Sequence, residues 1–264
     1  MELPLYQVDA FSDAPFGGNP AAVMPLPYWL DDALLQAIAA ENNLSETAFL
    51  VDSGGNRELR WFTPAVEVPL CGHATLATAH VLFEHLGLAG DTVSFTTRKG
   101  ELTVTRDERG LTLDLPESRG DAIPVADAVT AALGARAESA FLDPGSPDMG
   151  LYVFESQAQL AALKPDFRAL GAAVDHGVIA TAPGEKHDFV SRFFGPQVGI
   201  DEDPVTGSAH CSLVPYWAER LGVDTLRARQ ISTRGGELSC QWRDGRVLLT
   251  GRAYTYLRGS VDLP

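Results

Sequence analysis

Cysteine is scarce in this chain. Three residues, Cys71, Cys211 and Cys240, are odd in number and form no C-x-x-C pair, which excludes a disulfide framework and a zinc knuckle. Reduced thiols in a cytosol are what this usage predicts. Long apolar runs are missing as well: none approaches the roughly 20 residues that cross a bilayer. The opening "MELPLYQVDAF" has neither a basic n-region nor an apolar h-region, so a cytoplasmic location is expected. Positive charge is the third shortage. Twenty Lys and Arg against 35 Asp and Glu leave a net charge of -15, and Arg57, Arg60, Arg98, Lys99, Arg106, Arg227 and Arg229 are scattered. No face is built to neutralise phosphates, so nucleic acid and anionic membrane are not expected partners.

Cofactor signatures are also absent. "FGGNP" (Phe16 to Pro20) and "SGG" (Ser53 to Gly55) are turn signals, and no G-x-G-x-x-G or G-x-x-x-x-G-K-[ST] occurs. Neither His73 with His80 nor His210 with Cys211 has the spacing that sets two ligands on one metal, so no metal is expected. What remains is an ordinary globular composition, 45% apolar and 21% charged, in 264 residues: one large domain or two modest ones.

The chain repeats itself at an offset of about 135 residues. "GHATLATAHVLFEHLG" (Gly72 to Gly87) lies over "GSAHCSLVPYWAERLG" (Gly207 to Gly222) without a gap. "TRKGEL" (Thr97 to Leu102) recurs as "TRGGEL" (Thr233 to Leu238), and "RELRWFTP" ending at Pro64 matches "DFVSRFFGP" ending at Pro196. Short β-branched or aromatic runs bounded by Gly, Pro, Asp or Asn ("YQVDAF", "PAAVM", "TAFLV", "ELRWF", "TVSFTT", "ELTVT", "LTLDL") predict strands. "DDALLQAIAAENN" predicts an amphipathic helix with a capping Asp. His73 to Leu86 is small or apolar nearly all round, which predicts a helix enclosed by its own domain. Its counterpart, Ser208 to Leu221, contains Pro215, which should kink or weaken it.

The expected fold is therefore α+β: two pseudo-symmetric lobes, each a curved, mostly antiparallel, barrel-like sheet around a central helix, with the active site in the interlobe cleft. The expected lobes are residues 1–117 and 118–264, joined through "ESRGDAIP" (Glu117 to Pro124), with the last strand free to pack back on the first lobe.

Gly72 and Gly207 open the two central helices, whose first N–H groups are unpaired and partly positive. Two such ends facing one cleft would hold a carboxylate. Differences between the copies point to the chemistry. His73 stands opposite Ser208, Glu46 opens "ETAFLV" where the corresponding "GVIATA" has no carboxylate, and Asp203 lies four residues before Gly207 where the first copy has Val68. A carboxylate beside an imidazole, with a second carboxylate and a hydroxyl across the gap, can move protons to and from carbon without a metal. Each residue also has a plain alternative: a surface carboxylate for Glu46, a cap for His73, a helix-dipole partner for Asp203, a first-turn hydroxyl for Ser208. Cys71 beside His73 suggests a thiolate nucleophile, but no third orienting group is visible.

In order, "VDAFSDAPFGGNPAAV", "NNLSETAFLV", "RWFTPAVEVPLCGHATLATAHVL" and "DEDPVTGSAHCSLVPYW" resemble the PhzF-like isomerase family of phenazine biosynthesis, of the diaminopimelate-epimerase-like fold. The resemblance implies a cofactor-independent isomerase, a homodimer, that shifts a proton within a small carboxylic acid. It implies Glu46 as the acid/base, supported by His73. It implies Asp203 and Ser208 as holders of the substrate's polar groups, Gly72 and Gly207 as its carboxylate site, and Ser45 as a further substrate contact. Related epimerases use a cysteine before each helix glycine; here Cys71 fills the first position and Thr206 the second. An amino-acid racemase or epimerase of the same fold, and an inactive small-molecule-binding protein, stand as the alternatives.

Overall fold

The computed structural model describes residues 1–263 as two compact units: Met1–Asp114 together with the chain from Thr250 onward, and Leu115–Leu249. In the first, strand Glu2–Ala10 runs antiparallel to Asn19–Leu26, which lies parallel to Glu46–Ser53 after a crossover through helix Asp32–Asn42. Glu46–Ser53 turns back into Asn56–Phe62. The short strand Glu67–Val68 follows, then helix Gly72–Glu84, then Thr92–Thr97, which meets Asn56–Phe62 in parallel and pairs antiparallel with Gly100–Asp107. The strand Ala253–Asp262 returns to pair with Glu2–Ala10.

The second unit repeats this order. Ser139–Leu142 pairs antiparallel with Met149–Val153, which lies parallel to Gly177–Pro183 after a crossover through helices Gln157–Ala162 and Phe167–Ala173. Gly177–Pro183 turns back into Phe189–Gly195. A 3-10 turn at Pro196–Val198 and the short strand Ile200–Asp203 precede helix His210–Leu221. Thr225–Gln230 then lies parallel to Phe189–Gly195 and pairs with Gly236–Arg243. Both parallel joins fall at equivalent points of the two copies, so the duplication legible in the sequence is also one of topology.

Each predicted strand forms. "TAFLV" is a continuous apolar run because residues 46–51 of strand Glu46–Ser53 are covered on both faces, as central strands are. Phe49 and Val51 pack with Met24 and Leu26 against Leu35, Ile38 and Ala39 of the crossover helix. The other face lies against helix Gly72–Glu84, which is buried from Gly72 through Ala79 and again at Val81, Leu82 and Phe83, as its sequence requires. Asp31 occupies the N-cap of the crossover helix but makes no side-chain cap bond there; its backbone carbonyl instead accepts from Leu34 and Leu35 N–H.

Two expectations are corrected. The regular helix of the second unit begins at His210, three residues after Gly207; the intervening residues form tight turns, with His210 N–H to Gly207 O and Cys211 N–H to Ser208 O. It also runs unbroken through Pro215. Proline has no N–H to give the Cys211 carbonyl, and Ser118 N–H fills that acceptor from outside the helix at 3.0 Å. The stretch that looks like a linker is thereby tied down, and Asp121–Ile123 within it is a strand paired with Ser139–Leu142. Among the described residues no helix is long and apolar enough to cross a membrane.

Candidate active site

Strand alternation explains why Glu46 meets His73. Residues 47, 49 and 51 face the crossover helix, so 46, 48 and 50 face the central one. Glu46 is the first residue of its strand and His73 the second of its helix. Their side chains meet with Glu46 Oε2 3.1 Å from His73 Nε2. Both are buried, at 8% and 3% exposure. The approach is close but unaligned: neither atom makes a hydrogen bond by direction among the described residues. A buried carboxylate oxygen and ring nitrogen poised without a fixed bond are both available to a proton.

The other ring nitrogen is held on two sides. Asn19 Nδ2 lies 3.1 Å from His73 Nδ1, and Cys71 Sγ lies 3.5 Å from the same atom. Asn19 opens strand Asn19–Leu26, two residues before Ala21, the parallel partner of Glu46, and so shares Glu46's face. Its approach depends on the preceding glycine. Gly18 sits at φ +63, and a Cβ there would fall 2.1 Å from the Ala10 carbonyl oxygen. "FGGNP" is thus a turn, as expected, and also the device that delivers Asn19, which sequence reasoning missed.

Burial works against a charge on His73, but the neighbouring Cys71 and Glu46 outweigh it and raise its pKa well above 6.5. Burial, and then the negative charge of Glu46, push the Cys71 thiol up to about 11. Burial thus keeps the Cys71 thiol protonated at neutral pH, and charge on the His73 ring is favoured by its two acidic neighbours, Cys71 and then Glu46. Cys211 is pushed up to about 12 by burial alone, and Cys240 is raised by burial and by Asp188. Ser45 is partly buried in the bend just before Glu46, and Gly72 is buried at the helix start.

In the second unit Asp203 ends strand Ile200–Asp203 and is 5% exposed. Thr206 Oγ1 donates to Asp203 Oδ2 at 2.5 Å. Gln230, wholly buried, braces this loop: Nε2 donates to the Asp203 carbonyl at 2.7 Å, and Oε1 accepts from Thr206 N–H at 2.9 Å. Ser208 is partly buried and Gly207 buried beside it. His210 Nδ1 donates to the Thr206 carbonyl at 2.8 Å, and its burial lowers the ring to about 4, so it stays neutral. Gln230 carries no motif; nothing short of the fold marks it. Glu46, His73 and Cys71 gather in one unit, and Asp203 with Thr206 in the other. Of these, Glu46, Cys71 and His73 bring donor atoms within 4.8 Å of one another.

Known proteins bear on this constellation. The sequence profile of the family described as phenazine biosynthesis-like protein matches residues 8–259. A Pseudomonas aeruginosa protein named an uncharacterized isomerase is 52% identical over 263 residues, covering 100% of both chains. The crystal structure of a phenazine biosynthesis protein of the PhzF family from Enterococcus faecalis superposes with a TM-score of 0.93 at 47% identity, covering 100% of both chains. A probable proline racemase from Agrobacterium radiobacter shares the fold at 12% identity, with a TM-score of 0.65 over 99% of this chain and 93% of its own.

Proposed function

The chain belongs to the phenazine biosynthesis-like PhzC-PhzF family, whose relatives include named isomerases, and from that premise we propose that it is a cofactor-independent isomerase moving a proton within a small carboxylic acid. The observation that carries the reading is the buried, unaligned 3.1 Å approach of Glu46 to His73. A carboxylate held out of water beside an imidazolium is a base that can take a proton from an activated carbon, keep it as the carboxylic acid, and return it at another position. His73 answers the change of charge on Glu46 without entering bulk solvent, and Asn19 fixes which ring nitrogen faces the carboxylate.

In this proposal Asp203 and Ser208 bind the substrate's polar groups, and Ser45 with the helix start at Gly72 and the turn backbone at Gly207 binds its carboxylate. The bracing of Asp203 by Thr206 and Gln230 supports a binding role, because an oriented carboxylate selects among donors where a free one does not. A homodimer in the cytoplasm belongs to the same reading.

An amino-acid racemase of the same fold is the second reading, motivated by Cys71 at the position of one racemase thiol. Two features weigh against it: Thr206 stands where the second thiol would be, and Cys71 at about 11 is a poor base at neutral pH. The deciding experiment incubates the enzyme in deuterium oxide with a panel of small unsaturated and amino-substituted acids. Deuterium entering a carbon distinct from the one that lost hydrogen supports the isomerase. Exchange with inversion at one carbon supports the racemase, and binding without exchange would make the protein an inactive binder.

A further inference from the structure

Glu46, Cys71 and His73 form a donor set as well as a proton relay. No spacing in the sequence announces it, because the carboxylate comes from a strand and the other two from a helix start. Cys71 Sγ and His73 Nδ1 stand 3.5 Å apart. With Zn–S near 2.3 Å and Zn–N near 2.0–2.1 Å, two ligands at that separation subtend about 105–109° at the metal, close to the tetrahedral angle. One ring nitrogen of His73, Cys71 Sγ and a carboxylate oxygen of Glu46 lie within 4.8 Å of one another, and Glu46 Oε2, now 3.1 Å from Nε2, is buried with no aligned hydrogen bond of its own. A turn of the Glu46 carboxylate toward the nitrogen that faces Cys71 would complete three corners of a tetrahedron. Thiolate, imidazole and carboxylate together suit zinc and exclude magnesium or calcium, which want oxygen alone.

We propose that Glu46, Cys71 and His73 form a three-ligand Zn²⁺ site, open at its fourth position, whose occupation halts proton transfer. The inhibitory consequence rests on the isomerase reading; the binding of metal does not. On binding, the thiol and the imidazolium each release a proton to solvent, and the Nδ1 contact with the Asn19 amide gives way to the metal. The Glu46 lone pair that would abstract the substrate proton is then engaged, so metal and catalysis exclude each other.

The test uses the full chain stripped with a chelator and titrated with Co²⁺, then Zn²⁺. One Co²⁺ per chain is expected, with a thiolate-to-cobalt charge-transfer band in the near ultraviolet that one equivalent of Zn²⁺ removes. Cys71→Ser should lose that band and bind Zn²⁺ about ten-fold or more weakly, and Glu46→Gln should keep the band while weakening binding similarly. If Cys71→Ser does not fold, zinc-edge X-ray absorption of the unsubstituted protein reads the same point, one sulfur in the first shell being expected and none overturning the site. Full Zn²⁺ affinity with an unchanged band in Cys71→Ser would also overturn it, since Cys211 or Cys240 would then be the ligand. A band with no isotope exchange on any substrate leaves the site standing and removes the isomerase reading. Exchange that persists at stoichiometric bound Zn²⁺ overturns the inhibitory role.

Discussion

Asn19 and His73, 54 residues apart in sequence, meet at 3.1 Å, and the amide of one sets the ring orientation of the other. The contact joins the turn glycine Gly18, the sheet face shared with Glu46, and the start of the central helix in one buried unit. Asn19→Ala should therefore lower kcat by about ten- to a hundred-fold with little change in KM, the scale seen when a histidine's orienting partner is lost. A shift in the pH–rate profile should accompany it, because the ring would no longer be held with Nε2 toward Glu46. A KM effect alone would show Asn19 to be a substrate contact and not a positioning residue.

Glu46→Gln keeps the shape of the side chain and removes its basicity. Substrate-carbon deuterium exchange should fall by about a thousand-fold or more, within the range that general acid/base groups contribute. The change also takes the negative charge from beside His73. An NMR titration of the ring should show its pKa falling from its raised position, since burial then acts without the carboxylate that offsets it.

His210 gives the protein a stability term of known sign. Its folded pKa is lowered to about 4 from 6.5, so the unfolded chain takes up the proton first. The stabilisation is complete above pH 6.5 and is lost as pH falls through about 4. His73 runs the opposite way: its raised pKa stabilises below 6.5 and that contribution fades as pH rises. Comparing the protein with His210→Gln cancels the His73 term. The stability difference between the two, from urea melts, should change by about 3 kcal/mol in favour of the variant between pH 6.5 and pH 4. A pH-independent difference would mean that the ring is not buried neutral.

Gln230→Ala orphans the Asp203 carbonyl and the Thr206 N–H inside the protein. At about 1–3 kcal/mol for each of the two unsatisfied groups, a loss of about 2–6 kcal/mol is expected in denaturant melts. Substrate affinity should fall with it, because Asp203 loses its bracing. Unchanged affinity at reduced stability would limit Gln230 to the fold.

Sequence by itself determined the duplication, the strands and the buried central helix, because each depends on local alternation, turn residues and an apolar circumference. It marked Glu46, His73 and Asp203 through asymmetry between the copies, since a difference in kind at matched positions survives without any coordinates. It could not show that Asn19 reaches His73, that Gln230 braces Asp203, or that Ser118 caps the carbonyl that Pro215 leaves open. Each of those contacts joins residues that only sheet register or helix placement brings together, and their own neighbours read as turns, strand ends or a linker. Even the helix start moved, from Gly207 to His210, because tight turns at Gly207 and Ser208 take up the first hydrogen bonds. Local chemistry named the candidates; long-range packing decided which of them touch and which are dry.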